Sequence, residues 1–197
     1  MLPQLAELKR VALDLPYRGH IVTGKLKYIT FATDMGWVEI FSSPRGLVRL
    51  TLPQPSAQRA LELLDSSKAH ATWSPHQFED IAKRLRAYFN GEKSTFPDEL
   101  DLSQATQFQQ KIWQITRLIP CSETRSYRWV AEQTGKPNAM RAVGQALSKN
   151  PLPVIVPCHR VVASDGKLSG FSSGVEMKRQ LLSLEASAGI RESVNLY

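Results

Sequence analysis

Apolar and polar residues alternate over residues 26–32, 37–41 and 47–52, the period of strands with one face buried. The breaks between them, Asp34-Met35-Gly36 and Ser43-Pro44-Arg45-Gly46, are rich in turn formers. The pattern therefore predicts an antiparallel meander. It then switches to helical spacing. One helix is expected over residues 56–64. Another starts at Ser74, read as an N-cap, with Pro75 in the first helical position and Gln77 completing a capping box. Phe78, Ile81, Leu85 and Tyr88 continue its apolar stripe, and Gly91 stops it. Residues 97–102 read as a linker, so a boundary falls near residue 100.

Beyond that boundary the spacing is helical. Phe108, Ile112 and Ile115 predict a helix over residues 106–118, ended by Pro120. Residues 126–134 form a shorter one, with Gly135 behind it. Lys136 and Pro137 make a tight turn, and Asn138 is read as the cap of a further helix over residues 139–149. Helix, short turn, helix is the helix-turn-helix pattern. On the second of these helices Met140, Val143 and Leu147 are expected to face inward. The opposite face carries Asn138, Arg141, Ala142, Gln145 and Lys149, which is small, polar and basic. A duplex could approach such a face closely, although a solvated face on an ordinary helix would look the same.

The apolar run 151–156 leads into Pro157-Cys158-His159-Arg160-Val161, which puts a thiol at the end of a buried, strand-like segment. A cysteine beside a histidine is a candidate nucleophile. Neighbouring side chains on a strand diverge, so a bridging water is the easier route for the proton. Glu185 follows Leu181 and Leu182 by four and three residues in a predicted helix over residues 175–186, which places it on the buried face as a partner for His159. The Gly- and Ser-rich loop 164–174 can bring backbone N–H groups close to a ligand, with Phe171 as an apolar wall. Cys121 reads as a small core residue.

Composition narrows the class. Hydrophobic residues at 42% and charged residues at 22% are ordinary for a folded domain, which disfavours disorder and membrane-embedded chains. The net charge of +7 suits a partner with a phosphate backbone. With two cysteines there is no disulfide framework, and a reducing cytoplasm is expected. Cys121, Cys158, His159, His20, His70 and His76 show no zinc-ligand spacing, so neither a metal nor a cofactor is expected. Residues 1–17 read as a short amphipathic helix rather than a signal peptide or a membrane span.

Pro-Cys-His-Arg-Val, preceded by Asn150-Pro151-Leu152-Pro153 and by Arg141-Ala142-Val143-Gly144, resembles the O6-alkylguanine-DNA alkyltransferase family over residues 104–187. Pattern and resemblance together imply an α+β fold. Residues 1–100 would hold an N-terminal antiparallel sheet with helices, ribonuclease-H-like. Residues 101–197 would hold a helical, winged-helix-like part containing the helix-turn-helix. The resemblance implies a DNA repair protein that moves an alkyl group from guanine O6, with thymine O4 as a second substrate, onto its own cysteine, once per molecule.

By that carry-over Cys158 accepts the alkyl group, His159 deprotonates it through a water, and Glu185 orients His159. Asn150 would hold the turn, and Tyr127 would hydrogen-bond the departing guanine and press on a phosphate. Arg141 would fill the gap left by the flipped nucleotide, with Ala142, Gln145 and Lys149 along the minor groove. Val161, Ser172, Phe171 and Pro153 would line the pocket; the carbonyls of Cys158 and Val161 would read the guanine amino group, and the Ser172 N–H would face O6. The implied partner is double-stranded DNA carrying O6-alkylguanine, bound by a monomer, with cooperativity along DNA left open. This chain departs from the family where Pro-Tyr-Gly-Glu-Thr becomes Pro120-Cys121-Ser122-Glu123-Thr124, and where Phe171 replaces a tyrosine.

Other readings predict other behaviour. A lesion-binding relative without repair activity would lack the cysteine, a transcription regulator would spare the thiol, and a cysteine hydrolase would turn over.

Overall fold

The computed structural model describes residues 26–63, 71–168 and 170–194, with side chains to residue 188. The expected helix over residues 1–17 lies outside them. β1 (Leu26–Thr33), β2 (Gly36–Ser43) and β3 (Gly46–Leu50) pair antiparallel in sequence order, as the alternation predicts. Gly46, at φ +137°, opens β3 where a Cβ would sit 2.4 Å from the Glu99 carbonyl oxygen. No side chain fits that approach.

The sheet is mixed rather than antiparallel. A fourth strand, β4 (Ala71–Trp73), lies parallel to β1 at the other edge, giving the order β3-β2-β1-β4. The connection from β3 includes α1 (Ala57–Glu62), capped by the Ser56 hydroxyl. Such a crossover is long enough to return the chain in the same direction. A three-residue strand is too short to leave a readable alternation.

α2 (Glu79–Phe89) covers one face of the sheet with Ile81, Ala82, Leu85, Tyr88 and Phe89. It does not begin with the expected capping box. Residues Pro75–Phe78 form a 3₁₀ turn, and Ser74 makes no side-chain cap bond. The Gln77 amide instead donates to Ser42 Oγ on β2 at 3.0 Å, so it is not free to close a box.

The linker is stitched down. Leu47 N–H donates to Glu99 O, and Asp101 N–H donates to Leu47 O. The Asp101 carboxylate accepts from Ser43 Oγ at 2.6 Å and from Arg45. One buried apolar cluster runs from Ile29 on β1 through to Leu181 near the C-terminal end.

α3 (Gln107–Arg117) starts on a reciprocal capping box between Thr106 and Gln109. β5 (Arg125–Ser126) leads into α4 (Tyr127–Gln133), capped by Ser126. α5 (Met140–Ser148) follows after the turn. Asn138 does not cap it; Ala139 stands at the N-cap with no side-chain bond, because the helix begins one residue later than the pattern suggests. Val143 and Leu147 are buried, but Met140 is 36% exposed and does not pack inward as expected. It is the first residue of the helix. Trp113 Nε1 donates to Ala146 O at 3.0 Å and pins α3 to α5. β6 (Val161–Val162) pairs parallel with β5, and α6 (Val175–Val194) ends the described fold. Among the described residues no helix is long and apolar enough to cross a membrane.

Candidate active site

Residues 151–156 are buried for the most part but do not form a strand. Three β-branched residues and a leucine raise the apolar count there, while two prolines remove the donors a ladder needs. Val154 takes a left-handed φ of +74°, and Asn150 holds the resulting loop together. Its Oδ1 accepts from Leu152 N–H at 3.0 Å, and its Nδ2 donates to Val156 O at 2.8 Å. The same Nδ2 lies 3.1 Å from Cys158 Sγ, so one amide shapes the loop and also faces the thiol. Cys158 then opens a single 3₁₀ turn, Cys158–Arg160, that runs into β6.

Cys158 is buried, and burial pushes its thiol above the ordinary range. The Asn150 amide and the nearby Lys178 charge work the other way, favouring thiolate. Lys178 donates to Val161 O at 2.6 Å, and its ammonium lies 5.8 Å from the centre of the Tyr127 ring. Tyr127 is half-buried at the start of α4. Burial, and then the neighbouring Cys158, push its hydroxyl pKa up, so it stays a proton-bearing donor.

His159 and Glu185 meet in the interior. His159 Nε2 lies 2.7 Å from Glu185 Oε1, with side chains 0% and 1% exposed. Burial lowers the His159 pKa, and Glu185 only partly offsets it. Burial alone would raise Glu185, but hydrogen bonds from His159 and Arg160 reverse that and hold it far below the usual carboxylate range. Arg160 spans both carboxylate oxygens, with Nε to Oε2 at 2.9 Å and a terminal nitrogen to Oε1 at 2.8 Å. Ser122 N–H donates to Oε2 at 3.2 Å and its hydroxyl to the Glu185 carbonyl at 2.7 Å. Tyr88 donates to Oε1 at 2.8 Å. His159 Nδ1 is buried and has no hydrogen-bond partner among the described residues.

The other predicted residues fall into two groups. Val161 is fully buried next to Cys158; Pro153 and Phe171 are half-buried, and Phe171 packs on the main core. Ser172 is exposed. The carbonyls of Val161 and Cys158 already accept one bond each, from Lys178 and from the Val161 N–H, which leaves one lone pair apiece. Arg141, Gln145 and Lys149 are exposed on α5, and Ala142 is half-buried.

Cys121 is not a core residue: it is half-buried, and burial and then the Glu185 charge push its thiol up. Its loop turns at Ser122, which holds φ +65° and presents both its N–H and its hydroxyl to Glu185.

Sequence reasoning missed four contributors: Tyr88, Ser122, Arg160 and Lys178. Lys178 had a usable signal, since it stands three before Leu181 and seven before Glu185 on the buried stripe. Arg160 lies inside the motif, but nothing in the string says that its guanidinium turns back to Glu185. Tyr88 and Ser122 are remote in sequence, and no spacing could have found them.

Comparison with known proteins places this arrangement. The family model described as "6-O-methylguanine DNA methyltransferase, DNA binding domain" matches residues 107–187. A methylated-DNA–protein-cysteine methyltransferase of Mycobacterium tuberculosis is 48% identical over 123 residues, covering 62% of this chain and 74% of that protein. One from Methanosarcina barkeri is 39% identical over 157 residues, covering 76% and 96%. A crystal structure of Mycobacterium tuberculosis OGT in complex with DNA superposes with a TM-score of 0.70 at 40% identity, covering 82% of this chain and 94% of that one. The chain belongs to the family of O6-methylguanine DNA methyltransferases, the methylated-DNA–protein-cysteine methyltransferases.

Proposed function

We propose that this protein repairs DNA by moving an alkyl group from O6 of guanine to Sγ of Cys158, once per molecule. The carrying observation is a buried thiol, Cys158, held 3.1 Å from the Asn150 amide and followed directly by His159, whose Nε2 lies 2.7 Å from the buried Glu185 carboxylate. Cys158 gives its proton through a water to His159 Nδ1, the buried nitrogen that Glu185 leaves unused. The thiolate attacks the alkyl carbon, the carbon–oxygen bond breaks, and its electron pair moves onto guanine. The thiol proton ends on the guanine anion, so the products are a thioether and unmodified guanine. The thioether does not hydrolyse, which is why turnover stops at one. O4 of alkylated thymine presents the same leaving group and is the second substrate of the reading.

The target base must leave the duplex to reach a buried thiol, which costs a few kcal/mol. Arg141, exposed at the start of α5, fills the vacated stack, and Ala142 allows close approach in the minor groove. Gln145 and Lys149 track the backbone. Tyr127 donates to the departing guanine. The remaining lone pairs of the Cys158 and Val161 carbonyls read its amino group, the Ser172 N–H faces O6, and Phe171 and Pro153 wall the pocket. In this reading α4 and α5 are a DNA-binding helix-turn-helix in a winged-helix-like part over residues 101–197, and residues 1–100 are a ribonuclease-H-like domain. The protein acts as a monomer on double-stranded DNA.

Intact mass after incubation with excess O6-methylguanine duplex tests this. One added methyl group, absent in Cys158→Ala, is expected. An unchanged mass, or repair of several lesions per molecule, would refute it.

A further inference from the structure

We propose that Tyr88, on α2 and outside the stretch matched by the family model, is a positioning residue of the alkyl-transfer site that holds Glu185 where His159 needs it. This deepens the proposed function and rests on it. The Tyr88 hydroxyl donates to Glu185 Oε1 at 2.8 Å and lies 3.4 Å from His159 Nε2. Oε1 is the same atom that faces His159 at 2.7 Å, so the phenol and the imidazole share one carboxylate oxygen.

The phenol suits this task. Burial, and then the negative charge of Glu185, push its ionisation well above the ordinary tyrosine value, so it remains a neutral donor at any working pH. Its ring is wedged edge-on against Phe89 at 5.2 Å and Phe96 at 6.0 Å. A fixed donor on Oε1 limits the rotation of the carboxylate and lowers its proton affinity. When His159 takes the thiol proton, the imidazolium then faces an anion that does not take the proton from it. The groups facing His159 are Glu185 and Lys178 from α6, Cys158 and Arg160 from its own turn, and Tyr88 from α2; Cys121 faces Tyr88 from the loop before β5. Among them, Tyr88 is the contribution of the sheet-bearing half of the chain. That half therefore has a part in the chemistry as well as in packing.

The sign of the effect follows. Without the phenol, Glu185 becomes a stronger acceptor and the His159 imidazolium is favoured. His159 then stays protonated, and inactive as a base, up to a higher pH. The test is the single-turnover rate of methyl uptake by rapid quench and intact mass, from pH 5 to 9, with O6-methylguanine duplex. Tyr88→Phe is expected to slow transfer about tenfold near neutral pH, the loss of one hydrogen bond to a charged group, and to move the acid limb to higher pH. Fluorotyrosine incorporated at position 88 keeps the shape, is a stronger donor, and is expected to move the limb to lower pH; it carries the test if Tyr88→Phe does not fold. An unmoved limb in both proteins overturns the inference, whether the rate is unchanged or falls in step with a lower melting temperature. Wild-type protein that gains no methyl group refutes the proposed function itself, a separate outcome.

Discussion

The surroundings of Glu185 and the outer face of α5 are both polar, and they are built in opposite ways. Glu185 is sealed from solvent and receives donors from His159, Arg160, Tyr88 and the Ser122 backbone. Arg141, Gln145 and Lys149 stand in water. The first arrangement is complete before any substrate arrives, and its geometry sets where a proton resides. The second lies open to solvent, where its electrostatic interactions are screened by salt. In the proposed function the first serves the chemistry and the second the encounter with DNA. Substitutions should therefore act differently on the two: the buried site should lose rate and stability together, and the exposed face should lose DNA binding or base flipping with stability intact.

Glu185→Gln should give the largest effect. It leaves the Arg160 guanidinium buried without its counter-ion, a change that typically costs about 3–5 kcal/mol. It also replaces the anionic acceptor that orients His159 with a neutral amide, and a positioned general base typically contributes about 10²–10⁴ in rate. Urea unfolding and single-turnover transfer should both collapse. A variant with near-normal stability and a transfer rate within threefold would mean that the buried network is decorative.

Acid should separate the two regions next. His159 is held below its ordinary 6.5 by burial, so the unfolded chain binds its proton first and stability falls as pH drops through the mid-sixes. Glu185 is depressed below its ordinary 4.5, so its stabilisation is present above that value and is lost as pH falls further. Melting temperature should be level from pH 7 to 8, decline below about 6.5, and decline more steeply below about 4.5. Binding of undamaged duplex should stay nearly constant until the decline begins, because the exposed side chains of α5 stand outside the buried network. A melting temperature flat down to pH 5 would contradict the buried, neutral His159.

The outer face of α5 and the buried stripe of α6 were both legible in the sequence, since each depends on helical spacing. So was the meander, which depends on alternation. The run 151–156 was not: its composition says strand, while two prolines and the Asn150 amide impose a compact loop. The false cap at Ser74 shows the same limit, because Gln77 was claimed by Ser42 across the fold. Cys158, His159 and Glu185 could be assembled from a motif and a periodicity. The donors that fix Glu185 could not, because Tyr88 and Ser122 reach it through tertiary packing. Ser122 also accounts for a departure from the family pattern. A serine tolerates φ +65° where glycine is usual, at a cost of about 1–2 kcal/mol, and its hydroxyl bond to the Glu185 carbonyl offsets part of that.

Arg141→Ala should have an intermediate effect confined to duplex substrates. If the guanidinium fills the vacated stack, its loss leaves part of the flipping cost uncompensated, on the order of 1–3 kcal/mol or about 10–100-fold in transfer rate. With O6-methylguanine supplied as the free base there is no stack to fill, and the loss should be much smaller. Equal losses on both substrates would place Arg141 in the chemistry and erase the division between the two regions.

Lys149→Ala should be the mildest change and the most diagnostic of the exposed face. A lysine that neutralises one phosphate releases about one counter-ion, so its removal should reduce the slope of log affinity against log salt by about 0.9. Affinity for damaged and undamaged duplex should drop by the same few-fold factor, and most at low salt. Single-turnover transfer at saturating DNA should be untouched, because the Lys149 side chain is exposed, whereas Cys158, His159 and Glu185 are buried. Titration by fluorescence anisotropy at several salt concentrations measures both quantities. If the slope does not change, α5 does not meet the phosphates through Lys149, and the basic face is ordinary solvated surface at that end. If the slope changes and the saturated rate falls as well, encounter and chemistry are coupled along α5, through the Lys149-Asn150 junction where the helix passes into the loop that holds Cys158.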